Sequence, residues 1–206
     1  TTAEIRQKYD LDSAKFQYLI SPSPYCSEKF TTAWNLAHQG KTDAILEQGY
    51  PRNDALLNAT QADMDAIRQR LHITPAEIGD KKVLLYAPTW RDNQHDSNSY
   101  GYSYTLGADF DKLRAALGEK YIILFRAHYL VASQFDFAAY AGFVYDVSSY
   151  PDINDLYLAS DLLITDYSSV CWNSFYQGGG VVFYQPDLEE YEAYVNKGDM
   201  LCGDKV

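Results

Sequence analysis

The sequence has few cysteines and no long apolar run. Its three cysteines, Cys26, Cys171 and Cys202, lie far apart and form no CxxC pair, which argues against a disulfide framework and against a structural zinc site. Every uninterrupted apolar stretch is much shorter than the roughly 18 residues of a membrane-spanning helix. The first residues, TTAEIRQKYD, lack the pattern of a signal peptide. These absences predict a cytoplasmic chain with reduced thiols.

Basic residues are also few, since 17 Lys and Arg stand against 28 Asp and Glu, for a net charge of −11. A nucleic-acid-binding surface needs Lys and Arg to neutralise phosphates, so the sequence predicts no nucleic-acid partner. A phosphate-bearing ligand must then be bound by a few local basic residues and helix ends. Because no polybasic patch is present, we expect contact with a membrane only through other parts of a longer parent protein.

Several cofactor and catalytic motifs are missing. No GxGxxG follows a predicted strand and no GxxxxGK[ST] occurs, which argues against dinucleotide oxidoreductases and P-loop ATPases. No HExxH or clustered carboxylate pattern is present, so the sequence predicts neither a metal site nor a cofactor. Three consecutive glycines, residues 178–180, precede a predicted strand and are interpreted as a turn.

What remains is an ordinary globular composition, 47% hydrophobic and 22% charged over 206 residues, which is enough to build a core. From Lys81 onward, predicted strands alternate with predicted helices. This alternation indicates an α/β fold, a Rossmann-like parallel sheet with helices on both faces. The predicted strands are residues 83–86, 121–125, 143–145, 162–164 and 181–184, and the predicted helices are 109–117, a segment beginning at 151, and 188–194.

The first 80 residues differ from the rest. Two short predicted strands, 16–20 and 44–46, flank a predicted helix at 27–37, and the turn GYPRND leads to a helix at 61–71. Two strands do not make a stable sheet alone. We therefore interpret residues 1–60 as the end of a preceding domain with a hinge, and residues 61–206 as a nucleotide-binding domain.

Polar residues follow the first four predicted strands of the main domain. Because the carboxyl ends of parallel strands meet at one edge of the sheet, we expect these side chains to lie together. Two arginines, a histidine and a serine-lined helix N-terminus predict a site for a diphosphate. The residues are Thr89 and Arg91 after the first strand, Arg126 and His128 after the second, Asp146 and Ser149 after the third, and Thr165, Asp166, Ser168 and Ser169 after the fourth.

Two of these assignments have simpler alternatives. Ser168 can be only a helix cap, and His128 can be only a hydrogen-bonded turn residue. In the functional interpretation, His128 follows Arg126 by two residues, and its protonated ring hydrogen-bonds a phosphate oxygen or a leaving group. The ordinary histidine pKa of ~6.5 makes that charge accessible near neutrality.

Six segments in this order resemble the CDP-glycerol glycerophosphotransferase family, whose members prime or polymerise teichoic acids. They span about residues 16–194, and YAPTWR, RAHY and TDYSS are the most specific. The segments are YLISPSPYCSEKF, GYPRNDAL, KKVLLYAPTWRDN, ILFRAHY, YPDINDLYLASDLLITDYSSV and VVFYQPDLEEY.

The resemblance implies a GT-B architecture of two Rossmann-like domains, of which the C-terminal one binds a CDP-alcohol donor, CDP-glycerol or CDP-ribitol. It assigns the diphosphate to Arg126, His128, Ser168 and Ser169, with His128 catalytic, and brings the loop from Asp146 to Asp152 near the cytidine. The resemblance further implies that a hydroxyl of a lipid-linked glycerol-phosphate polymer attacks the distal phosphorus and that CMP leaves without the help of a metal. The parent enzyme is then expected to be peripheral on the cytoplasmic face of the membrane.

The chain departs from the family pattern in two places. The family's general base, a histidine in a Trp-His-Gly segment, belongs to the N-terminal half of the fold, and this sequence contains no such segment. The second departure follows the paired serines. The family has an aromatic-Asp pair and a basic residue before proline there, and this chain has Trp172-Asn173 and the three glycines in those places. Because the Trp-His-Gly segment is missing, we expect the chain to bind donor better than it turns donor over. Two other functions stay open, a nucleotide-sugar glycosyltransferase or epimerase of the same fold and a non-catalytic nucleotide-binding module.

Overall fold

The computed structural model describes residues 2–89, 107–127 and 136–194, which fall into two compact units, Thr1–Ala55 and Leu56–Val206. Two predicted site residues, Arg91 and His128, lie outside the described residues. Across the described ranges, no helix combines the length and the apolar character needed to cross a membrane.

The first unit contains a short parallel strand pair and two longer helices. Its elements are α1 (Thr2–Ser13), β1 (Leu19–Ser21), α2 (Pro24–Ala33) and β2 (Ile45–Glu47). Helix α2 begins three residues before the predicted start at Ser27. The reason is local, because the Ser23 hydroxyl accepts a hydrogen bond from the Cys26 amide and Pro24 occupies the first helical turn, where its missing N–H costs nothing.

The second unit is built around a five-stranded sheet. The remaining elements are α3 (Asp54–Asn58), α4 (Gln61–Arg70), α5 (Pro75–Ile78), β3 (Lys82–Tyr86), α6 (Phe110–Leu117), β4 (Tyr121–Phe125), β5 (Val144–Asp146), α7 (Ile153–Ala159), β6 (Leu162–Thr165), α8 (Val170–Ser174), β7 (Gly180–Phe183) and α9 (Leu188–Tyr194). The strand order is β5-β4-β3-β6-β7, and every pairing is parallel. The predicted α/β class is confirmed.

Alternate residues of the central strands pack into two separate cores. In β3, Val83 and Leu85 join one cluster with α4 and α7, whereas Leu84 and Tyr86 join another with Phe110 of α6. A strand covered on both faces has no polar side, which is why these strands read as continuous apolar runs. Helices therefore flank the sheet on both faces, as predicted.

Several strand boundaries differ from the predicted positions, in most cases by one residue. β7 begins at Gly180, which pairs with Leu162, and β5 ends at Asp146, which pairs with Phe125. Backbone hydrogen bonds define a strand, so a glycine or an aspartate can extend it beyond its apolar residues. The preceding turn is confirmed at Gly178, whose φ of +65° lies in the left-handed region that glycine adopts without strain.

Candidate functional site

The sheet reverses its strand order beside β3. From β3 the chain proceeds outward to β4 and β5, and it then returns to place β6 on the other side of β3. In open α/β sheets, ligands bind at the carboxyl ends of the strands where the order reverses. The segments that follow β3, β4 and β6 therefore frame the candidate site.

Buried hydrogen bonds join the ends of β3 and β6. The carboxylate of Asp166 accepts from the amides of Thr89 at 2.8 Å and Tyr167 at 2.7 Å. The Thr165 hydroxyl donates to the carbonyl of Ala87 at 2.8 Å. Since Thr165 and Asp166 are 0% and 5% exposed, these side chains brace the two loops against each other at the switch point.

The paired serines lie where β6 turns into α8, and both are accessible. Ser168 is half-buried and Ser169 is exposed. Ser169 stands at the N-cap of α8 but makes no capping hydrogen bond with its side chain, while the Ser168 hydroxyl accepts from the Val170 amide at a long 3.4 Å. Weak internal bonding leaves these hydroxyls able to reorient toward an anion.

Arg126 follows β4 on the other side of β3 and is half-buried. Its amide donates to the Tyr86 carbonyl at 3.0 Å. Its Nη1 donates to the carbonyls of Tyr150 at 2.6 Å and Val147 at 3.4 Å. Burial lowers the pKa of the guanidinium, while Tyr157 and Asp152 act in the opposite direction. An arginine remains charged regardless, so a positive group is held beside the switch point.

The turn after β5 is tied to the end of β4. The Ser148 hydroxyl accepts from the Ala127 amide at 2.9 Å, and the Ser148 amide donates to Asp146 at 2.9 Å. Ser149 is exposed. Exposed Asp152 caps α7 by accepting from the Asn154 amide at 2.9 Å. The residues predicted at this turn thus lie on one continuous, hydrogen-bonded segment.

Three residues that hold the site together were not predicted as part of it. Ser148 and Tyr150 secure the segment around Arg126, and Gln185 donates from Nε2 to the Asp166 carbonyl at 3.2 Å. Ser148 and Tyr150 lie in the loop between the predicted residues Asp146 and Asp152. Their position in that loop was a weak indication of a role at the site. Gln185 follows the fifth strand, β7, so the position of polar residues after parallel strands was the signal that could have found it.

The arrangement suits a multiply charged anion. A fixed guanidinium and two accessible hydroxyls flank a braced loop pair at the edge where parallel sheets bind ligands. Among the residues that the structure describes, no group of three or more His, Cys, Asp or Glu side chains is arranged to hold a metal ion.

A family model described as CDP-glycerol:poly(glycerophosphate) glycerophosphotransferase matches residues 1–201. The chain belongs to this family. The membership predicted from YAPTWR, RAHY and TDYSS is therefore confirmed.

Several glycerophosphotransferase relatives are about 40% identical to the chain. The teichoic acid poly(glycerol phosphate) polymerase of Bacillus subtilis (strain 168) is 43% identical over 191 residues, which cover 92% of this chain and 24% of that protein. The teichoic acid glycerol-phosphate transferase of Staphylococcus aureus (strain NCTC 8325 / PS 47) is 41% identical over 205 residues, 98% of this chain and 48% of that protein. The chain thus spans between about a quarter and a half of the length of these curated relatives.

A solved structure of the family has the same fold. A variant of the wall teichoic acid polymerase TagF, soaked with CDPG, matches with a TM-score of 0.81 and 39% identity, over 93% of this chain and 45% of that chain. The parallel sheet and its flanking helices are therefore shared with this solved polymerase variant.

Proposed function

We propose that this chain forms the donor-binding part of an enzyme that transfers glycerol phosphate from CDP-glycerol to a hydroxyl group of a teichoic-acid acceptor and releases CMP. The observation that carries the proposal is the charged and hydroxyl-lined edge at the switch point of the sheet, in a chain of this family. The TagF variant soaked with CDPG supports the same donor.

The proposal gives each predicted residue a role. Arg126, Ser168 and Ser169 bind the diphosphate, because they offer a positive charge and hydroxyl donors at the sheet edge. The turn from Asp146 through Ser149 to Asp152 approaches the cytidine. Thr89, Thr165 and Asp166 shape the site by joining the ends of β3 and β6. The proposed roles of Arg91 and His128 at the phosphates rest on their positions in the sequence.

The proposed reaction is an in-line displacement at the distal phosphorus of the donor. The acceptor oxygen forms a new bond to that phosphorus as the bond to the bridging oxygen breaks, and CMP departs with the electron pair. The acceptor proton passes to a general base, which this sequence does not supply in a Trp-His-Gly segment. Arg126 and His128 stabilise the charge that develops on the departing CMP.

The acceptor and the cellular location follow from the same proposal. We propose a lipid-linked glycerol-phosphate polymer as acceptor, and a parent enzyme held on the cytoplasmic face of the membrane by segments other than those described. CDP-ribitol is the alternative donor, since it presents the same diphosphate to the same edge.

Isothermal titration of the chain with CDP-glycerol, CDP-ribitol, UDP-GlcNAc and CMP tests this function. The expected result is saturable binding of CDP-glycerol that is tighter than binding of CMP, because the second phosphate adds contacts to Arg126 and the serines. Preference for CDP-ribitol would reassign the alcohol. Preference for UDP-GlcNAc, or the absence of binding to either CDP-alcohol, would refute the proposal.

A further inference from the structure

Arg126 does not hold its position by its own strand alone. Within the described residues, its shortest side-chain hydrogen bond is the 2.6 Å contact from Nη1 to the carbonyl of Tyr150, 24 residues along the chain. A long arginine side chain loses rotamer freedom when it is fixed. The position of the Tyr150 carbonyl therefore decides where this guanidinium points.

Tyr150 is in turn held from its other end by two charged residues. Its hydroxyl donates to the Asp155 carboxylate of α7 at 2.6 Å. The same carboxylate oxygen accepts from Nη2 of Arg70 on α4 at 2.8 Å, and Nε of Arg70 lies 3.4 Å from the Tyr150 hydroxyl. Hydrogen bonds to ionised groups are shorter and stronger than neutral ones.

We propose that Arg70, Tyr150 and Asp155, here called the Tyr150 tether, position Arg126 for the donor diphosphate. The inference rests on the proposed function for the identity of the ligand, because it takes Arg126 as a diphosphate-binding residue. The three tether residues are positioning residues. They act through the Tyr150 carbonyl, and none of them needs to touch the donor.

The geometry explains why such a tether is needed. Arg126 is half-buried, and burial lowers its pKa, so its charge has given up part of its hydration. The carbonyls of Val147 and Tyr150 replace that water. A fixed guanidinium also spares the donor the entropy cost of ordering it on binding. Loosening the Tyr150 turn removes both advantages without removing the arginine.

The deciding variant is Tyr150→Phe, which deletes only the hydroxyl and keeps the ring and the carbonyl. Tyr140→Phe is its matched control, because the Tyr140 hydroxyl donates to a carboxylate oxygen of Asp111 at 3.1 Å, and no contact in the described part of the chain joins this pair to Arg126. Arg70→Gln is a second variant. Arg70 is 54% exposed, so its loss breaks the tether from the surface with little effect on packing.

Two measurements on the intact chain test the tether. The first is the dissociation constant for CDP-glycerol, which we expect to rise about five-fold or more in Tyr150→Phe and Arg70→Gln but to change by less than about two-fold in Tyr140→Phe. The second is amide hydrogen exchange without ligand. The amides of Val147 and Tyr150 donate to the carbonyls of Phe125 and Val147, and we expect them to exchange about ten-fold faster in the tether variants only.

The outcomes separate this inference from the proposed function. Wild-type chain that binds no CDP-glycerol refutes the function, whereas faster exchange confined to the tether variants still supports the positioning of the Arg126 contact. Unchanged exchange and affinity in Tyr150→Phe overturn the tether. A lower melting temperature with unchanged affinity for CDP-glycerol also overturns it, because that pattern describes a purely structural contact.

Discussion

At the scale of single residues, Asp166 uses its acidic side chain to bind backbone amides. Its carboxylate lies at an edge expected to bind an anion, yet it accepts from the amides of Thr89 and Tyr167 and is 5% exposed. Two amide dipoles thus face the charge. The neighbouring serines remain at least partly accessible, so the buried carboxylate shapes the turn without covering them.

We expect Asp166→Ala to lower the free energy of unfolding by about 2 kcal/mol, because two amides lose a buried acceptor. Asp166→Asn keeps one acceptor oxygen and should cost clearly less. Urea unfolding measures both. Asp136→Ala is the control, since exposed Asp136 accepts one hydrogen bond within the described residues, from the Ala138 amide at 2.9 Å. Equal effects for Asp166→Ala and Asp136→Ala would contradict the bracing role.

Replacing Ser168 and Ser169 together with Ala should weaken CDP-glycerol binding by about five-fold or more, because two donors to the diphosphate are lost. The melting temperature should change little, since neither hydroxyl makes a strong internal bond. Titration calorimetry gives the affinity. Ser160→Ala, at the opposite end of β6, removes a hydroxyl that donates to the Leu156 carbonyl and should leave affinity unchanged. Unaltered binding in the double variant would mean that the serines only cap α8.

At the scale of elements, the first turn of α4 makes the stability of the fold depend on pH. The Thr60 hydroxyl and amide both donate to the Asp63 carboxylate, at 2.6 and 2.8 Å, and the Asp63 amide donates back to the Thr60 hydroxyl at 3.2 Å. These two contacts of Thr60 lower the pKa of Asp63 below its ordinary value. This capping box fixes the start of the helix that carries Arg70.

The capping box predicts that the stability contributed by Asp63 falls as the pH is lowered. Because the folded pKa of Asp63 is depressed, its contribution to stability is present above the unfolded value of 3.8 and is lost as the pH falls through the folded value. Asp63→Asn should therefore destabilise the chain more at pH 7 than near pH 3 in urea unfolding. In a Thr60→Val background the difference should shrink, and a difference that grows on acidification contradicts the assignment.

At the scale of the whole molecule, the net charge differs in sign from the charge of Arg126 at the proposed site. The chain carries a net charge of −11, yet it presents Arg126 and the hydroxyls of two serines at the edge proposed to bind a doubly phosphorylated donor. Local donors prevail over the overall charge because interactions beyond about 10 Å are largely screened at 0.1 M salt. The proposed function thus assigns donor recognition to one edge of the sheet.

We expect this chain to bind CDP-glycerol and yet release almost no CMP when a glycerol-phosphate acceptor is added. Transfer needs a positioned nucleophile and a base for its proton, and the family's Trp-His-Gly segment is not in these 206 residues. CMP release measured with and without acceptor tests this, with TagF as the positive control. Acceptor-dependent release at a comparable rate would show that the base lies within this chain.

The sequence by itself determined the fold class and predicted a site at the carboxyl edge of the sheet. Apolar runs such as Tyr121–Phe125 are buried on both faces, a pattern typical of strands in a covered parallel sheet when they alternate with helices. Strand ends then place Arg126 and Ser168 at one edge, because all strands run in the same direction. Local rules also fixed helix starts, as the hydrogen bonds of Thr60 and Asp63 illustrate.

Only the tertiary structure decided which polar residues face outward and which brace the loops. Asp166 is linked to Thr89 across 77 residues, and Arg126 to Tyr150 across 24. A sequence shows that these residues follow strands, but hydrogen bonding between segments is set by the strand order β5-β4-β3-β6-β7. That order depends on how the helices bury the two sheet faces together, a cooperative property of the whole core that no local pattern records.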